Sequence, residues 1–366
     1  MSALKPLTGL KVVAIEQAVA APFATCRLAD AGAEVIKIER PEGDFARGYD
    51  DVAAGQSSYF VWLNRGKTSV ALDLTSDVGR ARLRDLIAGA DVVVQNLRHG
   101  ALERLGFSFE DLRRENHRLV TCSITGFDPD GDMAARKAYD LLIQAESGLC
   151  SITGGPDEPS RVGVSVVDIA TGASAHSAIL EALIARGITG QGMAITVSMF
   201  DVMADWLTVP LLNHEGGRTP KRVGLAHPSI APYGVFETKD SKQVLISIQS
   251  DREWAKLCEQ FLGDVSLSHD PRFASNVNRV EHRDVTDKIV AAAFLQRSSD
   301  QALADLTKAD VAFALLNDME GLSAHPELRR ISVETSNGPV TYPAPASRFD
   351  GVTRPVGPVP ELDEGC

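Results

Sequence analysis

The chain has 366 residues, more than one hydrophobic core usually serves, so two domains are expected. Hydrophobic residues make up 44% and charged residues 23%, ordinary proportions for a globular enzyme. A formal net charge of −12 argues against nucleic acid and against an anionic membrane surface as partners. Any polyanionic ligand then needs basic residues gathered locally. The cysteines are Cys26, Cys122, Cys150, Cys258 and Cys366. They form no CxxC pair and are odd in number, which speaks against a disulfide framework or a metal site and for a reducing compartment. The N-terminal segment lacks a signal-peptide apolar run. No apolar stretch reaches the roughly 18–20 residues that span a bilayer. A cytoplasmic protein is expected.

In chain order, Lys11–Ile15 (KVVAI) reads as a buried strand and residues 22–31 as a helix ended by Gly32. Glu34–Glu39 (EVIKIE) is a second strand, which makes a strand–helix–strand unit typical of a parallel crossover. Residues 70–74 read as a strand, Asp77–Ala88 as a helix stopped at Gly89, and 91–95 and 119–124 as further strands. Residues 139–149 and 169–186 read as helices, and 193–203 as a strand turning helical. A Gly-, Pro- and Arg-rich loop covers 213–232. A hairpin around 239–242 follows, then helices from about 251 to 309. The proline-rich last 40 or so residues should wrap a surface. The alternation implies an α/β fold, a doubly wound parallel-sheet large domain beside a smaller α+β domain. The expected boundaries are 1–205, a linker at 206–224, 225–315, and a 316–366 segment returning to the large domain.

The opening unit invites a dinucleotide reading, because Glu39 ends the second strand where an acidic residue often binds ribose. The turn after the first strand, Glu16-Gln-Ala-Val-Ala-Ala-Pro22, contains no glycine. A pyrophosphate cannot approach that backbone as it does in GxGxxG, so NAD is not expected. Basic residues do gather at strand carboxyl ends and the loops after them: Lys37, Arg40, Arg47, Arg65, Lys67, Arg98, Arg104, Arg136 and Lys137. Open α/β sheets bind ligands there, and coenzyme A, with its pyrophosphate and 3′-phosphate, needs such partners. For any single arginine, solvated surface charge explains the position as well.

Asp168 follows an alternating run (VGVSVV) and opens a long helix. Its plain reading is a helix N-cap. A carboxylate there is expected to stay ionised, as a nucleophile must be. Around it the sequence resembles the family III CoA-transferases, the CaiB/BaiF group that includes formyl-CoA transferase, carnitine CoA-transferase and the α-methylacyl-CoA racemases. The carrying segments are LTGLKVVAIEQAVAAPFATCRLADAGAEVIKIERPEGD, NRGKTSVALDL, DVVVQNLRHGALERLGF, KAYDLLIQAESG, the Asp168 segment, HPSIAPYGVF and DREW. The ordered series covers nearly the whole chain.

The resemblance implies a transferase in which Asp168 carries the acyl group as an anhydride and CoA as a thioester, with no ATP and no tightly bound cofactor. It implies CoA contacts at Val19, Ala20, Arg40, Leu74, Asn96, Leu97, Arg98, Arg104, Lys137, Ala138 and Tyr139. Arg47, Asp140, Arg218 and His227 are candidate substrate contacts. Gly154-Gly155 and Gly216-Gly217 are candidate oxyanion donors, although plain turns also use glycine. Val19, Asp140 and Ser247–Asp251 depart from the formyl-CoA transferase pattern, which argues against formyl-CoA and oxalate. The family's racemases carry a histidine where Tyr139 stands, so one arm of their acid/base pair is missing. His99, His176 and His227 are the possible replacements. A non-catalytic CoA-binding protein is the third reading. The AYDLLIQAESGLCSITG stretch is similar to members acting on short dicarboxylic acids such as succinate, itaconate, mesaconate, citramalate or malate. An interlocked homodimer is also implied.

Overall fold

The computed structural model describes residues 5–365. Cys366 lies outside the described residues. In chain order the elements of the first half are β1 (Lys11–Ile15), α1 (Ala20–Asp30), β2 (Glu34–Glu39), α2 (Ser58–Asn64), β3 (Lys67–Ala71), α3 (Asp77–Ala88), β4 (Val92–Gln95), α4 (Ala101–Arg104), α5 (Phe109–Glu115) and β5 (Val120–Thr125). Then come α6 (Asp140–Glu146), α7 (Leu149–Ile152), α8 (Val166–Thr189), β6 (Ala194–Ser198), α9 (Met199–Trp206) and α10 (Thr208–Glu215). The second half holds β7 (Tyr233–Glu237), β8 (Gln243–Ser247), α11 (Asp251–Leu257), α12 (Asn276–Glu281), α13 (Arg283–Leu295), α14 (Ser299–Lys308), β9 (Ala312–Leu315), α15 (Met319–Ser323), β10 (Arg330–Val333) and β11 (Val340–Pro343).

The chain divides into two compact units. One comprises residues 5–149, 161–212 and 329–365, and the other 150–160 and 213–328. The first holds a six-stranded parallel sheet in the order β3-β2-β1-β4-β5-β6. The order reverses between β1 and β4, so a crevice opens at the carboxyl ends of those strands. Both faces of the sheet are covered. Val12 and Ala14 of β1 pack with Ala24, Leu28, Ala175 and Ile179 of α1 and α8. Val13 and Ile15 pack with Leu83, Leu86 and Ile87 of α3. Alternate residues of one strand thus serve two cores, as buried parallel strands require.

In the second unit β7, β8 and β9 form an antiparallel sheet. Its core gathers Trp254, Phe261, Phe273 and Phe294, with Phe236 stacked on Phe294 at 5.3 Å. Ser250 and Glu253 close a capping box on α11.

Two expectations need correction. The C-terminal segment does more than wrap a surface. It folds an antiparallel hairpin, β10 with β11, and sends Val333 and Val359 into a core with Phe60 and Val61. Gly338, at φ +108°, makes the turn between its strands. The strand expected at 70–74 starts at Lys67 instead, because a buried lysine opens it.

Candidate active site

The crevice is built on the turn after β1. Asn96, just past β4, clamps that turn on both sides. Its Oδ1 accepts from the Gln17 main-chain N–H, and its Nδ2 donates to the Gln17 carbonyl, both at 2.9 Å. Ala18 next to it sits at φ +62°, a left-handed conformation that costs an alanine about 1–2 kcal/mol. The Ala18 N–H donates to Asp44 Oδ1 at 3.2 Å. Val19 and Ala20, both buried, then start α1 without a side-chain cap.

Beneath the turn lies a buried layer of charge. Lys67 Nζ donates to Glu16 Oε1 at 2.6 Å, and Lys37 Nζ stands 3.5 Å from the same atom and 2.8 Å from Asp44 Oδ2. Burial alone would raise the Glu16 carboxyl, but Lys67 and Lys37 outweigh it and hold it below its ordinary value. Glu39, also buried against its ionisation, is brought down to about 2 by the Arg47 fork, Lys37 and Ser69. Arg47 stacks on Phe60, 3.8 Å from the ring centre.

This layer corrects the expected phosphate set. Lys37 and Lys67 are buried against internal carboxylates. Arg65 is buried in a two-point contact with Asp30. Arg47 is taken by Glu39, and Arg136 by Glu146 at 2.8 Å. A strand-end lysine that neutralises a buried glutamate looks, in sequence, like one that faces a ligand. Among the described residues, Arg40, Arg98, Arg104 and Lys137 are exposed and make no ion pair.

Two cavities open over the sheet. One, of about 630 Å³, is lined by Val19, Ala20, Asn96, Arg98, Lys137 and Asp168 among others. Ala138, Tyr139 and Asp140 complete that side. The second, of about 490 Å³, is lined by Arg40, Leu74 and the ends of β1, β2 and β3. Gln17 and Leu97 line both. Arg104 sits apart, its guanidinium against Gly100, where an added Cβ would meet Nη1 at 2.9 Å.

Asp168 is not a helix cap, contrary to expectation. Helix α8 begins at Val166 after Ser165, whose side chain makes no capping bond, so Asp168 stands in the first turn. Asp140 does the capping. Its Oδ1 accepts from the N–H groups of Val167 at 2.8 Å and Asp168 at 3.2 Å. Its Oδ2 accepts from Gln144 Nε2 at 2.7 Å. The surroundings of Asp168 also oppose its ionisation, contrary to expectation. Burial, and then the neighbouring Asp140 carboxylate, push its pKa up to about 7.

Two glycines let the walls close. A Cβ on Gly172, one turn past Asp168, would meet the Ala20 carbonyl at 2.5 Å and Phe23 Cβ at 2.9 Å, so α1 and α8 touch at backbone distance. A Cβ on Gly126 would meet Ala138 Cβ at 2.2 Å.

Arg218, His227, Gly154-Gly155 and Gly216-Gly217 all belong to the second unit. Arg218 is exposed. His227 stacks on Tyr233 at 5.2 Å, and its Nδ1 accepts from the Ser229 N–H. Gly154, at φ +107°, bridges to Pro159 in a tight turn. His99 lines the larger cavity, whereas His176 is half-buried in α8, where burial lowers its pKa.

Sequence reasoning missed an aromatic wall of the larger cavity. Phe45, Tyr49 and Tyr59 line it, with Tyr49 edge-on to Tyr59 at 5.5 Å and 5.7 Å from Phe45. Burial, with Asp44 and Asp168 adding, pushes the Tyr49 hydroxyl up to about 12. It missed Arg161 as well, which also lines this cavity. The signal available was three aromatics within 15 or so residues of a loop otherwise polar and glycine-containing.

Among the described residues no cluster of His, Cys, Asp and Glu is suited to a metal ion, and no helix is long and apolar enough to cross a membrane. The profile of CoA-transferase family III matches residues 7–364. A succinate–glutarate CoA-transferase of Agrobacterium fabrum is 36% identical over 92% of this chain and 87% of its own. An acetyl-CoA:oxalate CoA-transferase of Acetobacter aceti is 35% identical over 98% and 93%. A CaiB/BaiF family protein from Brucella suis superposes with a TM-score of 0.85 at 36% identity, covering 99% of this chain and 97% of that one. With a half-buried carboxylate beside a strand-end crevice, and relatives of this kind along almost the full length, the chain belongs to CoA-transferase family III and is an enzyme acting on CoA thioesters.

Proposed function

We propose that this enzyme moves CoA from an acyl-CoA donor such as succinyl-CoA to a short dicarboxylic acid through covalent intermediates on Asp168. The observation that carries the reading is the position of Asp168 in the wall of a cavity of about 630 Å³ that shares Gln17 and Leu97 with a second cavity at the strand ends. That pair of cavities suits a long ligand. The nucleotide end lies by Arg40 and Leu74. The chain then runs past Leu97 and Asn96, with Arg98 and Lys137 meeting phosphates and Val19, Ala20, Ala138 and Tyr139 flanking the thioester arm. Arg104 reaches the 3′-phosphate from outside the cavities.

In the first step an Asp168 oxygen attacks the donor carbonyl, forming an acyl–aspartyl anhydride and releasing CoA thiolate. The thiolate attacks the aspartyl carbonyl, giving an aspartyl-CoA thioester and the free donor acid. The acceptor carboxylate attacks that thioester, expelling CoA thiolate again and re-forming an anhydride. Thiolate attack on the acceptor carbonyl then releases the new acyl-CoA and restores Asp168. Every step exchanges one acyl bond for another, so no ATP is consumed. A buried site protects the anhydride from water. Asp140 holds the Asp168 turn through Oδ1, while Oδ2, bonded to Gln144, keeps acceptor capacity on the cavity side for a substrate contact.

The dicarboxylate assignment is supported by the Agrobacterium fabrum relative, named for succinate and glutarate. The Acetobacter aceti relative, named for oxalate, puts oxalate back among the acceptors to measure. Tyr139 in place of the racemase histidine opposes epimerisation. An interlocked homodimer in the cytoplasm, with no membrane or nucleic-acid partner, completes the reading.

The test incubates the enzyme with succinyl-CoA and a panel of acids: glutarate, mesaconate, itaconate, citramalate, malate and oxalate. CoA should move onto at least one, hydroxylamine should trap acylated enzyme, and Asp168→Ala should abolish both. Epimerisation of a 2-methylacyl-CoA without any CoA transfer would overturn the proposal. Binding of CoA with neither activity would leave a non-catalytic CoA-binding protein.

A further inference from the structure

The larger cavity contains a cation that neither the fold nor the CoA layout uses. Arg161 is exposed and lines the cavity together with Ser165 and Asp168. Its recorded hydrogen bond is a 3.4 Å contact from Nη1 to the neighbouring Val162 carbonyl. Among the described residues no carboxylate pairs with it. Arg136, in the same wall, is already closed onto Glu146.

The backbone of Arg161 is tied to Asp168 through two α6 side chains. The Val162 N–H donates to Gln144 Oε1 at 2.9 Å. Gln144, fully buried, donates from Nε2 to Asp140 Oδ2. Asp140 Oδ1 accepts the N–H of Asp168. The loop that carries the guanidinium and the turn that carries the nucleophile therefore share one buried anchor.

We infer that Arg161 is the specificity residue of this site, binding the far carboxylate of a dicarboxylic acyl group while its near carboxyl reacts at Asp168. The inference rests on the dicarboxylate reading above. A second carboxylate entering this cavity faces Asp168 and Asp140 and needs a compensating cation. Arg161 supplies it with a two-point donor geometry that lysine lacks. A monocarboxylic acid of the same length makes no use of it.

The experiment compares glutarate with valerate, equal in length, as acceptors from acetyl-CoA. Wild type should favour glutarate. Arg161→Gln should lower kcat/KM for glutarate about 10- to 100-fold, the loss of a charged hydrogen-bonded contact, and leave valerate little changed. Arg161→Lys should fall between. Hydroxylamine-trapped acetyl-enzyme should form at the wild-type rate in Arg161→Gln, which shows that the variant is folded and Asp168 reactive. A wild-type preference for glutarate that survives Arg161→Gln overturns the assignment and leaves the dicarboxylate reading standing. Equal use of both acids by wild type overturns the dicarboxylate reading and Arg161 with it. Equal losses on both acids make Arg161 a structural residue and also overturn the assignment.

Discussion

The main-chain N–H of Asp168 donates to Oδ1 of Asp140 across 3.2 Å, so one carboxylate pins the helix turn that carries the other. The pairing fixes the proposed nucleophile and at the same time opposes its ionisation. Asp140 sits close enough to add to the effect of burial, and the Asp168 pKa rises from an ordinary 3.8 to about 7.

The first prediction is a pH profile. The nucleophile is the ionised form, so kcat/KM should rise about tenfold per pH unit below pH 7 and level off above it. Asp140→Asn removes the like charge and should move the rise to lower pH. The shift should be partial, because burial is the larger cause. A profile flat from pH 5 to 8 in both proteins would contradict it.

The same shift fixes a stability sign. A carboxyl whose folded-state pKa is raised contributes fully below its ordinary value, and the contribution is lost as pH climbs through about 7. Asp168→Asn should therefore gain stability relative to wild type between pH 5 and pH 8. Urea midpoints at the two pH values measure it.

The buried charge layer makes a third prediction. Lys67→Met leaves Glu16 with Lys37, 3.5 Å away, as its one paired cation, and with the Thr25 hydroxyl at 2.6 Å. Stranding a buried carboxylate costs about 3–5 kcal/mol, and Lys37 should keep the loss near the lower figure. Adding Glu16→Gln should recover much of it. Urea denaturation of the two variants decides between this layer and a merely solvated pair.

Gly172→Ala forms the fourth. The new Cβ meets the Ala20 carbonyl at 2.5 Å, and neither backbone can yield without moving α1. Overpacking of this kind costs about 1–3 kcal/mol. The start of α1, with Val19 and Ala20, should shift away from the cavity, so the KM for acyl-CoA should rise.

Much of the sheet was legible in sequence because buried parallel strands are short continuous apolar runs: KVVAI and VVVQ are two of them. The start of β3 was not, since it opens on Lys67, and the partner that buries that lysine, Glu16, lies elsewhere in the chain. β10 and β11 were hidden by a proline-rich tail whose apolar residues are too few to show a period: Val333 and Val359 are buried in the core, and Ile331, Val340, Tyr342 and Val356 pack against it. Asp168 could be singled out from its place before a long helix and from the family resemblance. Its capping partner could not, because Asp140 lies on α6 and the two meet only through the fold. Arg161 carries no local pattern at all. Its place in the cavity wall comes from the fold, in which Gln144 accepts from the N–H of the next residue, Val162.

The central claim is that Asp168 becomes covalently acylated by the acceptor. Turnover with succinyl-CoA and glutarate labelled with ¹⁸O in its carboxylates tests it most directly. Thiolate attack on the acceptor carbonyl of the final anhydride leaves one acceptor oxygen on the aspartate. The peptide containing Asp168 should therefore gain ¹⁸O over the first few turnovers, up to both carboxylate oxygens, and no other side-chain carboxylate of the protein should do so. Glutaryl-CoA formed while that peptide stays unlabelled would contradict the account.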